Sequence, residues 1–110
     1  HMGSMAIVAN KAPKNYVHVV FNNGAHDSVG GQPTVGLKID LPRVARAVGY
    51  PHTYSVSTKE DLIDVLNEVK KNYDLSLIEI KVRKGNRKDL GRPTTTPIQN
   101  KEALMDFLRK

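Results

Sequence analysis

Cysteine is absent from all 110 residues, which excludes a disulfide framework and any zinc site built on thiolates. That composition fits a reducing compartment, and a cytoplasmic location is the expectation. Tryptophan is absent as well, and four tyrosines and two phenylalanines supply the only aromatic surface. Single-stranded nucleic acid is usually bound on aromatic platforms, yet Tyr16, Phe21, Tyr50, Tyr54, Tyr73 and Phe107 all lie outside the main basic run. No apolar stretch approaches the ~20 residues of a membrane-spanning helix, so no membrane contact is expected. Acidic residues are outnumbered 11 to 17 by lysine and arginine, giving a formal net charge of +6. What is present, 39% hydrophobic and 25% charged residues at this length, suits one globular domain and is too little for two.

Much of that excess of positive charge sits in KVRKGNRK, Lys81 to Lys88. Such a run binds nucleic acid, anionic lipid or a phosphorylated small molecule, although a solvated loop is the commoner reading. A basic nucleic-acid-binding module acting through Lys81 to Lys88 is the alternative of a different class.

Apolar spacing orders the rest of the chain. Met2, Met5, Ala6 and Ala9 stand at i, i+3, i+4 and i+7, which predicts a helix up to the break at Ala12-Pro13. The first residues therefore read as native sequence rather than a cloning remnant. No capping residue stands ahead of that stripe, and the chain is expected to begin partway into a helix. YVHVVF, Tyr16 to Phe21, reads as a parallel strand covered on both faces, with His18 a hydrogen-bonded core residue. Asp40-Leu41-Pro42 begins a helix whose buried face is Leu41, Val44, Ala45 and Val48 and whose end is Gly49. A short strand is expected over Thr53 to Val56. Thr58 then caps a helix with the stripe Leu62, Val65, Leu66 and Val69. LSLIEIKV, Leu75 to Val82, is a second clear strand, with Glu79 and Lys81 expected to face outward. GRPTTTP, Gly91 to Pro97, cannot be helical, and Asn100 is expected to cap a last helix with Leu104, Phe107 and Leu108 facing inward.

Helices alternating with strands imply an α/β fold with a mostly parallel sheet, and ligands of such folds bind beyond the carboxyl ends of the strands. The glycine-rich loop NNGAHDSVGGQPT, Asn22 to Thr34, leaves the first strand at that end. Its asparagine oxygens and bare backbone suit a hard divalent cation that shares its shell with a phosphate, while an Asn pair before Gly is also ordinary turn chemistry.

Asn22 to Thr34 resembles the cofactor loop of the phosphonopyruvate decarboxylases, which depend on thiamin diphosphate, and GRPTTTP resembles a second segment shared with the sulfopyruvate decarboxylases. The likeness extends over the whole chain. Where this chain has His26-Asp27-Ser28-Val29, the sulfonate enzymes tend to carry Tyr-Gly-Ser-Thr, which favours the phosphonate family. The resemblance implies a three-layer thiamin diphosphate-binding fold, truncated at its N-terminus. Residues 1–110 would be the C-terminal part of the diphosphate-binding domain, with the Gly-Asp-Gly half of the cofactor motif a few residues before His1 and the pyrimidine-binding domain elsewhere. It further implies decarboxylation of 3-phosphonopyruvate to phosphonoacetaldehyde by the intact enzyme, with sulfopyruvate as the alternative substrate. Thiamin diphosphate and Mg2+ are the implied cofactors, and a homo-oligomer, in which a neighbouring subunit supplies the pyrimidine-binding domain, the implied assembly.

Carried over by position, Asn22, Asn23, Gly24 and Ala25 would bind the cofactor. The Asn23 side chain and the Ala25 carbonyl would ligate the metal, while Asn22 orders the loop. Among the residues themselves, His26 is the candidate for proton transfer because imidazole titrates near neutrality. Arg92 is a candidate for gripping the phosphonate through its guanidinium fork, and Ser28 and Gln32 for hydrogen bonds to substrate.

Overall fold

The run Leu75 to Ile78 is apolar at nearly every position, a pattern that is stable only in a strand with neighbours on both edges and cover on both sides. In the computed structural model, which describes residues 2–109, it enters the central strand β5 (Ser76–Lys81). β1 (Val17–Asn22) pairs with β5 along one edge and β4 (His52–Val56) along the other, both in parallel. Residues Leu75 to Glu79 are each at most 2% exposed. Successive side chains of a strand point to opposite sides. Leu77 accordingly packs with Met5, Ala45 and Tyr50 of one core, under α1 (Met2–Lys11) and α2 (Leu41–Val48). Ile78 packs with Val56 and Val69 on the other side, under α3 (Lys59–Asn72). The fold is thus α/β in three layers, with a parallel sheet in the middle. Burying a leucine of this kind is worth about 1.5–3 kcal/mol, and Leu77 is fully buried.

Local sequence sets the helix ends. The Asp40 side chain accepts the Arg43 N–H at 3.0 Å, and Gly49 closes α2 in the left-handed region at φ 113°. The Thr58 hydroxyl accepts the Asp61 N–H at 3.1 Å, and Tyr73 ends α3 at φ 45°. His18 is part of the core network, its Nδ1 lying 3.2 Å from the hydroxyl of buried Tyr50.

Five expectations are corrected. β1 is an edge strand, and Val17, Val19 and Phe21 are 41–70% exposed instead of covered. They share a face with Ile78, yet α3 lies over β4 and β5 and leaves β1 open on that side. Likewise Leu66, on the far side of the α3 stripe, is 48% exposed. The last helix, α4, spans Pro97–Leu108 and is capped by Thr96 and not Asn100. Thr96 and Gln99 form a reciprocal capping box, and Asn100 instead accepts the Thr95 hydroxyl. Its residues Leu104, Phe107 and Leu108 are 58–72% exposed, because α4 packs on no core among the described residues. Finally, Glu79 does not face outward but is buried. The His1 end of the expected N-terminal stretch lies outside the described residues.

Candidate functional site

β1 ends in Asn22, and the chain then makes a tight excursion before returning to the sheet. Two short strands, β2 (Ala25–His26) and β3 (Gln32–Pro33), pair antiparallel around a 3-10 turn at Asp27–Val29. The Thr34 N–H donates to the Gly24 carbonyl at 2.8 Å and that of Gly31 to the His26 carbonyl at 2.9 Å, so the loop is closed on itself. Gly24 makes the first bend at φ 65°, a conformation that L side chains avoid. A Cβ there would also stand 2.6 Å from a Leu37 methyl. Gly36 closes the loop so near the Asn22 amide that a Cβ would lie 2.8 Å from its oxygen.

The two asparagines are held differently. Asn22 is 7% exposed, and its Nδ2 donates to the Gly36 carbonyl at 2.8 Å and to Glu79 Oε1 at 2.7 Å. Its Oδ1 accepts the Gly24 N–H at 3.1 Å. Every polar atom of that amide has a partner, which makes Asn22 a structural pin of the loop. Asn23 is half-buried, and its Nδ2 donates to Asp27 Oδ2 at 2.8 Å while its Oδ1 accepts the Ala25 N–H at 3.0 Å. An amide oxygen has two lone pairs, so Asn23 Oδ1 keeps one for a further donor or a cation.

The basic run reaches this loop at two points. The Gly85 N–H donates to Asp27 Oδ2 at 2.9 Å, and Lys84 Nζ donates to the Gly31 carbonyl. All of Lys81 to Lys88, these two residues included, is exposed. His26, Ser28 and Gln32 are exposed on the same hairpin. Arg92 lies in the exposed stretch before α4, and no described hydrogen bond joins it to the loop. Among the described residues no group of three or more His, Asp or Glu side chains could hold a metal ion. A cation here would depend on amide and carbonyl oxygens.

Glu79 is the residue that sequence reasoning missed. Its Oε1 accepts from Asn22 and its Oε2 accepts the Ser55 hydroxyl at 2.8 Å, so one carboxylate joins residues of β1, β5 and β4. It also lines a cavity of about 250 Å3 with Leu37, Ile39, Asp40 and Lys81. The strand pattern pointed it outward; a glutamate within an otherwise apolar central strand was the signal available.

No protein-family model matches the chain. Over 98 residues, 89% of its length, it is 41% identical to a phosphonopyruvate decarboxylase of Streptomyces viridochromogenes. By sequence the chain resembles the phosphonopyruvate decarboxylases over most of its own length. It spans 25% of that relative's length. A sulfopyruvate decarboxylase of Methanosarcina acetivorans is 38% identical over 80 residues, 72% of this chain and 21% of the relative. The sulfopyruvate decarboxylase subunit beta of Methanococcus maripaludis is 26% identical over the full chain, which covers 58% of that subunit. The 98-residue span matched to the phosphonopyruvate decarboxylase exceeds, by 18 residues, the 80 matched in the Methanosarcina protein.

Proposed function

We propose that the chain forms the downstream half of a thiamin diphosphate and Mg2+ site in an enzyme that decarboxylates 3-phosphonopyruvate to phosphonoacetaldehyde. The observation that carries this reading is the orientation of Asn23 at the carboxyl end of β1, in a chain 41% identical to a phosphonopyruvate decarboxylase. Its amide nitrogen is committed to Asp27, which leaves the oxygen as the group offered to a cation. Neutral oxygen donors beside a phosphate are what Mg2+ accepts, so the residues present fit the group.

In this reading Asn23 Oδ1 and the Ala25 carbonyl hold the metal, and Gly24 lets the diphosphate approach the backbone. Asn22 keeps the loop in register with the sheet. Thiamin diphosphate, when bound, supplies the electron sink that a departing carboxylate requires. His26, exposed on the hairpin beside those ligands, holds and delivers a proton to the bound product side of the reaction. Ser28 and Gln32 donate hydrogen bonds to substrate, and Arg92 pairs with the phosphonate. The chain then constitutes the C-terminal part of a diphosphate-binding domain, and a pyrimidine-binding domain of a homo-oligomeric partner completes the site. The exposed apolar face of β1 supports such cover. Among the described residues no helix is long and apolar enough to cross a membrane.

The test is carbon dioxide release from 3-phosphonopyruvate by the full-length protein with and without thiamin diphosphate and Mg2+. Turnover that ignores both cofactors would refute the proposal. Sulfopyruvate as the preferred substrate would support the second reading, which the 38% identity to a sulfopyruvate decarboxylase favours. The nucleic-acid reading has no comparable support, since Lys84 and Gly85 are tied to the loop.

A further inference from the structure

A carboxylate taken out of water is costly unless its oxygens are well hydrogen-bonded, and a leucine in its place is often no less stable. Glu79 is 2% exposed, and among the described residues no cation lies within ion-pair distance of it. It is held instead by two neutral donors, Asn22 Nδ2 at 2.7 Å and Ser55 Oγ at 2.8 Å. Stability alone does not explain such a group in the central strand. What the carboxylate accomplishes is directional.

The Asn22 amide has two N–H bonds, one taken by the Gly36 carbonyl and the other by Glu79. With the nitrogen fixed, its oxygen is turned onto the Gly24 N–H. Asn22 and Gly36 bracket the excursion that carries Asn23 and Ala25, and Gly24 makes its first bend. Ser55, beside Glu79 in register, anchors the second carboxylate oxygen to β4. An apolar residue at 79 would leave one buried N–H without a partner, and the amide would be free to turn.

We propose that Glu79 is a positioning residue for the loop 22–36: it sets the Asn22 amide and thereby the placement of the proposed metal ligands Asn23 and Ala25. The consequence for cofactor rests on the function proposed above, whereas the consequence for the loop does not.

The experiment compares Glu79→Gln, Glu79→Leu and, as a control of core destabilisation on the other face of the sheet, Val69→Ala, all in the full-length protein. Glutamine restores the pattern, since its oxygen accepts from Asn22 and its amide donates to the Ser55 oxygen. Hydrogen exchange of the cofactor-free protein reads the loop. Calorimetric titration with thiamin diphosphate and MgCl2 reads the site. Glu79→Leu is expected to speed exchange across 22–36 and to weaken cofactor binding about tenfold, the scale of losing a partner that orients a metal ligand. Glu79→Gln and Val69→Ala are expected to leave both near the wild-type values. The proposal is overturned if exchange in Glu79→Leu is no faster than in Val69→Ala at equal loss of Tm, or if glutamine disrupts the loop as much as leucine does. Absence of binding heat with the wild-type protein would refute the cofactor reading, and the exchange data would still decide the role of Glu79.

Discussion

Asn23 and Asp27 share a hydrogen bond of 2.8 Å in which the amide nitrogen donates, and the same Asp27 oxygen accepts the Gly85 N–H at 2.9 Å. One carboxylate oxygen thus orients the proposed metal ligand and ties the basic segment to the loop. Replacing Asp27 by Ala frees the Asn23 amide to flip. We expect Mg2+ affinity, titrated at saturating thiamin diphosphate in the full-length protein, to weaken by about tenfold. Unchanged affinity would reduce Asp27 to a turn residue.

Asn23→Ala removes the side-chain oxygen itself. The expected outcome is loss of Mg2+-dependent carbon dioxide release with little change in Tm, because Asn23 is only half-buried and its bonds are local. Full activity in that variant would remove Asn23 from the metal site.

Gly24→Ala places a Cβ on a residue with φ 65° and against Leu37. The left-handed conformation alone costs about 1–2 kcal/mol. Urea denaturation should show a loss of at least that size, and Gly24→Asn a smaller one, since asparagine tolerates this region better.

Leu77 and Leu104 test the packing. Leu77 is fully buried between β5 and α2, and its replacement by Ala should cost about 2–5 kcal/mol. Leu104 is 58% exposed on α4, and the same change there should stay within about 0.5 kcal/mol in this chain. A large effect at Leu104 in urea unfolding would mean that α4 docks on the core.

Burial, with a smaller contribution from Tyr16, raises the Tyr50 hydroxyl above its ordinary 10.0, and burial with the Glu68 hydrogen bond raises Tyr54 in the same direction. A folded-state pKa above the unfolded one means that the unfolded chain gives up its proton first. The stability these groups contribute is therefore complete below about pH 10 and falls as pH climbs through the folded values. Phenolate absorbance and Tm, followed together up the alkaline range, should show both tyrosines ionising late and Tm falling.

Sequence order made the architecture legible wherever local chemistry decides it. Asp40, Gly49 and Thr58 sit at the helix ends their side chains or backbone favour, and LSLIEIKV was readable as a strand, though not as the central one. His18 was readable as a core histidine, and its contact with Tyr50 fits. The loop was legible too, because strand, asparagine pair and glycines occur consecutively.

Contacts between distant segments were not legible. Nothing in YVHVVF says that α3 stops short of β1, and the apolar stripe of α4 shows a face without naming what lies opposite it. Glu79 alternates with its neighbours as an outward residue would, yet lies 57 positions from the Asn22 it orients. Likewise Asp27 and Gly85 meet across 58 positions, which turns part of a solvated basic run into a support for the loop.

The sequence by itself determined the α/β alternation, the caps of α2 and α3 and the glycine-rich loop at the end of β1, because propensities, capping and turn chemistry act over a few residues. Only the tertiary structure decided which strand lies at the edge, that Glu79 is buried, and which way the amides of Asn22 and Asn23 face. Those depend on partners brought together by the sheet and on the demand that buried polar atoms be hydrogen-bonded, which no local pattern encodes.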